Sequence, residues 1–186
     1  MAVPQITWKR FLSTADYTGT TVTALSLGSM TAGSWSANKC YGVYVTNNDI
    51  SDVKIWVGSS VVTFTPSDTG SSSIELSLCT TGAIWDFRGR VVSTVAGQAS
   101  LFAGSGGAMS SGDQMATPYL SAGCPINSAG YDRNTKTSGF NLGRGSNSYI
   151  SAGTYSNPIF ISVKAPTNSY NGRYSGILIR LEYNFS

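Results

Sequence analysis

Cys124 comes closest in this chain to inviting a chemical role. It sits in Gly123-Cys124-Pro125, a loop context in which a thiolate would be a nucleophile. Nothing in the sequence is suited to deprotonating it. The chain contains no histidine, the side chain whose ordinary pKa fits general-base work near neutrality. Cys40 and Cys79 fall in strand-like runs, where a free thiol behaves as a small buried hydrophobe. The three cysteines also lack the close pairing of a zinc site. Among the nine carboxylates, Asp86 lies in Ile84-Trp85-Asp86-Phe87-Arg88, an aromatic setting that would raise a carboxyl pKa. A glycosidase needs a second acid across a cleft, and the simpler reading pairs Asp86 with Arg88 or Arg90 at a strand end. Asp49 and Asp52 beside Asn47-Asn48 fit no calcium-loop spacing. The Gly104–Gly107 and Gly143–Gly145 runs lack the lysine and following helix of a phosphate loop. The expectation is a chain with no catalytic residue, no cofactor and no metal.

The aromatic residues offer a different chemistry. Trp8, Trp35, Trp56 and Trp85 could stack on sugar rings, which would make a host-surface glycan a partner. Burial in the core or under another subunit is the simpler use of such rings. Trp56 lies across its strand from Val53, Ile55 and Val57, so both of that strand's faces want cover. Tyr119, Tyr131, Phe140 and Tyr149 punctuate a glycine-rich middle stretch. The expected interface residues are therefore Trp35, Trp56, Tyr119, Tyr131, Phe140 and Tyr149.

Composition narrows the class. Charged residues make up 11% of the chain, against about 25% in an average soluble domain, so hydroxyls and amides must keep the surface polar. The net charge is +3, and the basic residues are scattered, with local pairs only at Lys9-Arg10 and Arg88-Gly89-Arg90. Nucleic-acid binders concentrate positive charge, so no direct nucleic-acid partner is expected. No apolar stretch approaches the ~18 residues that cross a bilayer, and no apolar h-region follows Met1. Neither a membrane partner nor ordinary export is expected.

The elements that would position these residues are strands. Ile177, Ile179, Leu181, Tyr183 and Phe185 alternate with Leu178, Arg180, Glu182 and Asn184, a period of two that a helix cannot give. Ile159, Ile161 and Val163 alternate with Phe160, Ser162 and Lys164. This strand and the last form either a hairpin or a crossing between sheets. Thr20–Leu27, Lys39–Thr46, Val53–Val57, Val61–Thr65 and Ile74–Leu78 read as further strands, with a turn at Asn47-Asn48-Asp49. Short strands at this spacing predict an all-β fold, an antiparallel β-sandwich with Greek-key, immunoglobulin-like connections. Residues 1–186 form a single domain, with 99–155 a long Gly/Ser-rich loop insertion that elaborates it.

Two stretches carry a resemblance. Leu25-Ser26-Leu27-Gly28, Ala32-Gly33-Ser34-Trp35-Ser36, Val43-Tyr44-Val45-Thr46-Asn47 and Asp52–Val57 resemble the front half of immunoglobulin-like structural proteins from tailed-bacteriophage particles. Ile159–Pro166 and Gly172–Leu181 look like the closing strand pair of the same class. The resemblance implies a non-enzymatic virion component, a capsid decoration (cement) protein or a tail or baseplate accessory, assembled in the host cytoplasm. Its implied partners are other virion proteins and further copies of itself. A pilus or adhesin subunit and a carbohydrate-binding module are the alternative readings.

Overall fold

A computed structural model describes residues 2–58, 61–66, 74–77, 79–80, 83–84, 86–106, 109, 140–144, 149–165, 172–175 and 178–185. In chain order the elements are β1 (Gln5–Phe11), β2 (Thr20–Thr21), β3 (Lys39–Thr46), β4 (Ser51–Gly58), β5 (Val61–Pro66), β6 (Ile74–Ser77), β7 (Cys79–Thr80), β8 (Ala83–Ile84) and β9 (Asp86–Val91). There follow a short helix α1 (Ala99–Ala103), then β10 (Phe140–Asn141), β11 (Ile159–Lys164), β12 (Gly172–Ser175) and β13 (Leu178–Asn184). The described chain is all-β but for that one turn of helix.

A five-stranded antiparallel sheet runs in the order β2-β1-β3-β11-β9, and a three-stranded one in the order β10-β4-β13. The chain crosses between these two sheets after β11, so β11 and β13 are not a hairpin. Instead β13 pairs with β4, from Leu178↔Gly58 to Asn184↔Ser51. A separate three-stranded sheet runs in the order β12-β5-β6, with β12 against β5 from Ser175↔Thr63 to Gly172↔Pro66.

Alternation decides what each strand buries. Tyr41, Val43 and Val45 of β3 join Ile159, Ile161 and Val163 of β11 on one face of the five-stranded sheet. Val53 and Ile55 of β4 enter the same core, with Leu181 and Tyr183 of β13 packed against it. Each fully buried aliphatic side chain contributes roughly 1.5–3 kcal/mol. The turn expected at 47–49 is present, with Asn47 at φ 73, a left-handed conformation that asparagine tolerates.

The opposite face of the large sheet is also covered. Phe11, Cys40 and Phe160 point there and pack with Val95, Leu101 and Met109, while Phe102 meets Phe160 edge to face at 4.9 Å. The 92–109 segment thus makes a further layer behind the sheet. Gly42 leaves room on that side: a Cβ there would lie 3.0 Å from the Phe11 ring and 3.2 Å from Ser156 Oγ.

The stretch expected as an elaboration contributes to the core at both of its ends. Leu101 belongs to the rear cluster, and Leu142 and Ile150 to the main one. Ile50 and Ile150 exchange backbone bonds of 2.9 and 3.0 Å. Residues 110–139 lie outside the described residues.

The strand expected over Thr20–Leu27 forms a ladder only at Thr20 and Thr21. Val22 N–H still donates to Trp8 O at 3.0 Å, and the chain then leaves β1 to cross the core.

Candidate functional site

Three groups of polar side chains could do chemistry, and each has a defined place. The first lies where the chain enters β3. Trp35 bridges to Lys164 of β11, but Ala37 bridges to Ser105, so the chain switches partner between them. Ser36 fills the switch: its N–H donates to Val163 O at 2.8 Å, and its Oγ accepts from Val163 N–H at 3.1 Å. A hydroxyl has taken the place of a ladder carbonyl. Ser162 Oγ donates to Ser36 O at 2.7 Å, accepts from Gly106 N–H at 2.9 Å and lies 3.1 Å from Ser36 Oγ. Both serines are fully buried. With no base in these bonds and no access to solvent, the pair holds three segments together and is not a nucleophile. Asn38 extends the knot by donating from Nδ2 to Leu101 O at 3.0 Å.

The sequence reading missed this knot. One signal was available: Ser162 interrupts the apolar run Ile159-Phe160-Ile161, and a hydroxyl inside a buried strand needs a partner.

The second group sits at the other end of β3. The Tyr149 hydroxyl donates to Asp49 Oδ2, and Ala152 N–H donates to Asp49 Oδ1 at 2.8 Å. The Ala152 amide, then the Tyr149 hydroxyl, hold the Asp49 carboxyl below its usual range. The bond to Asp49 in turn raises the Tyr149 phenol. Both carboxylate oxygens are thereby engaged, and among the described residues no three metal-ligating side chains cluster. Glu182, by contrast, is raised by burial and then by the charge of Asp52.

The third is Cys40. Burial, reinforced by the charge of Asp16, pushes its thiol up to about 12. It is protonated at neutral pH and sits among apolar side chains, a packing residue without nucleophilic character.

Of the expected interface residues, Trp35 and Tyr149 have described side chains, and these two lie apart. Trp35 is half-buried, with Gly106 pressed against its ring, beyond the start of β3. Tyr149 is 41% exposed at the opposite end of that strand, on the order of 25 Å away at strand rise. Trp56 pairs through its backbone with Arg180, and Phe140 with Ile55; their side chains lie outside the described residues. Tyr119, Tyr131, Trp85 and Cys124 also lie outside the described residues, as does the side chain of Asp86.

Among the described residues, the exposed large apolar side chains fall at the two ends of β1 and β3. Leu12 and Tyr17, 60% and 61% exposed, stand on the turn after β1. Asp16 shapes that turn by accepting from Leu12 N–H and Gly19 N–H, both at 2.9 Å. Val3 and Phe185, 65% and 47% exposed, flank the start of β1 and the end of β13, at the Tyr149 end. No protein-family model, curated protein or solved structure matches the chain.

Proposed function

We propose that this chain is a non-enzymatic structural subunit of a tailed-bacteriophage virion, a capsid decoration protein or a tail or baseplate accessory. It acts by covering neighbouring subunits, including its own copies and other virion proteins. In this reading the five-stranded sheet and the β10-β4-β13 sheet are the two layers of an immunoglobulin-like sandwich. Their shared core supports that architecture.

The observation that carries the functional reading is the placement of apolar side chains. Leu12 and Tyr17 mark one end of the body, and Val3, Tyr149 and Phe185 the other. In this reading, neighbours seated at the two ends cover these side chains and remove their apolar surface from water. Covering both ends suits a subunit seated between neighbours, with stability tied to assembly by mass action.

The test is the protein content of purified particles. The expected result is a fixed copy number per virion, released only under conditions that dissociate the particle. Absence from particles, with the chain remaining a free protein in the lysate, overturns the reading.

A further inference from the structure

The layer behind the five-stranded sheet is held in two different ways. From Ser105 onward it is bonded into the sheet: Ser105 bridges to Ala37, and Gly106 N–H donates to Ser162 Oγ at 2.9 Å. At its near end Val92 N–H donates to Pro158 O at 2.9 Å. Between these anchors, residues 93–104 take two hydrogen bonds from the rest of the described protein, both from Asn38. Its N–H donates to Gly104 O at 2.9 Å and its Nδ2 to Leu101 O at 3.0 Å.

Apolar contact closes this stretch. Val95 and Leu101 enter the rear cluster with Phe11, Cys40 and Phe160, and Phe102 meets Phe160. Ser93, Thr94, Gly97, Ala99, Ser100 and Ala103 are exposed. Helix α1 is five residues long, and Gln98 at its start supplies no side-chain cap, so it does not hold its shape without the cluster. The strands beneath are fixed differently. β3 is laddered to β1 from Gln5↔Thr46 to Phe11↔Cys40, and β11 to β9 from Ile159↔Val91 to Lys164↔Asp86.

We propose that residues 93–103 open as a flap while both sheets stay paired, baring the rear cluster and the Cys40 thiol to solvent. Opening breaks the Asn38 Nδ2 bond to Leu101 O, lifts Val95, Leu101 and Phe102 from their contacts, and returns the flap's backbone to the freedom that closing took from it. It also hydrates Asn38 Oδ1, which is buried without a hydrogen-bond partner among the described residues. Baring the same thiol by unpairing β3 or β11 breaks whole ladders and the main core with them. The flap therefore opens at a lower free energy than the chain unfolds.

Alkylation of Cys40 reads the opening, because the closed protein leaves that residue 1% exposed. The folded chain is held with excess N-ethylmaleimide across a urea series, and peptide masses report Cys40 separately from Cys79 and Cys124. Global unfolding is followed in parallel by circular dichroism. A flap exposes little surface, so the Cys40 labelling rate should rise with urea at less than about half the slope of global unfolding. Ile55 lies in the main core, on the other sheet. Ile55→Val should raise the global unfolding constant about 2–10-fold and leave Cys40 labelling unchanged. Leu101→Ala, within the flap, should speed labelling at least about tenfold. Labelling that follows the global urea slope, and that Ile55→Val speeds by the same factor as unfolding, overturns the flap. Labelling indifferent to Leu101→Ala overturns it too.

Discussion

Replacing Gly106 with alanine adds one methyl group where the structure has no room for it. The new Cβ falls on the Trp35 ring, nearest Cε3, and lies 2.6 Å from its Cδ2 and 2.7 Å from Ser162 Oγ. Ordinary carbon contacts begin near 3.5 Å, so something must move by about an ångström. The ring does not swing freely, because Trp35 is bridged to Lys164 and Ser36 is bonded to Val163 on both its N–H and its Oγ. Moving the Gly106 backbone instead pulls its N–H from Ser162 Oγ, a 2.9 Å bond inside the buried knot. Overpacking costs about 1–3 kcal/mol, and a lost buried hydrogen bond about 1 kcal/mol more. The expected loss is about 3 kcal/mol.

Urea unfolding measures it. With an m-value of about 2 kcal/mol per molar for a domain of this size, the midpoint falls by about 1.5 M while m is unchanged. Gly97→Ala is the control. Its φ of 75 is left-handed, as that of Gly106 is not, and nothing lies within 4 Å of its added Cβ, so it carries only backbone strain, about 1–2 kcal/mol. Trp35→Ala in the Gly106→Ala background removes the collision, so the double variant is more stable than the two single losses added together. A Gly106→Ala midpoint within about 0.25 M of wild type, or strictly additive losses, refutes the reasoning and the packing of Trp35 with it.

Further outcomes follow from the buried and paired groups. The Cys40 thiol, raised from 9.0 to about 12, keeps its proton in the folded chain where the unfolded chain has lost it. Stability therefore declines as pH climbs through that window, by up to ~4 kcal/mol at its top. The wild-type unfolding free energy should fall relative to that of Cys40→Val above pH 9.0; parallel curves would contradict this. Asp49→Asn removes the charge that accepts the Tyr149 hydroxyl, so the phenol's absorbance titration moves to lower pH. Because folding depresses the Asp49 carboxyl, its contribution is present above the ordinary carboxylate pKa and lost as pH falls through the depressed value. The difference between wild type and Asp49→Asn should thus close in acid. Ser162→Ala removes the nearer of the two acceptors of Gly106 N–H and the hydroxyl that donates to Ser36 O, and should cost about 1–3 kcal/mol in urea unfolding. Phe160→Ala empties the rear cluster beside Phe102 and should cost about 3–5 kcal/mol.

Strand content was legible because alternation is a local property. Tyr41, Val43 and Val45 alternate within one segment, and the structure places them together in the core. The rear layer was half legible: Ile159-Phe160-Ile161 is apolar at consecutive positions, the pattern of a strand buried on both faces. What covers Phe160 was not legible, because Leu101 and Phe102 reach it from a different segment. The serine knot fails for the same reason, since Ser36, Gly106 and Ser162 come from three distant places. Thr23–Leu27 misled in the opposite direction. Its propensity is that of a strand, but the chain bends at Thr23 and Ala24, and among the described residues no strand pairs with it.

This bears on where the protein meets others. A tryptophan in a low-charge chain suggests a contact surface, and Trp35 is one of the expected interface residues. Packing ties its ring to Gly106, so moving Trp35 disturbs the serine knot before it disturbs any partner. The central strands β3 and β11 have both faces covered and offer no flat apolar surface to a neighbour. Among the described residues, the exposed large apolar side chains lie instead on the Leu12–Tyr17 turn and at the Val3 and Phe185 end. On the proposed reading these ends, and not the faces of the central strands, are what neighbouring subunits would cover.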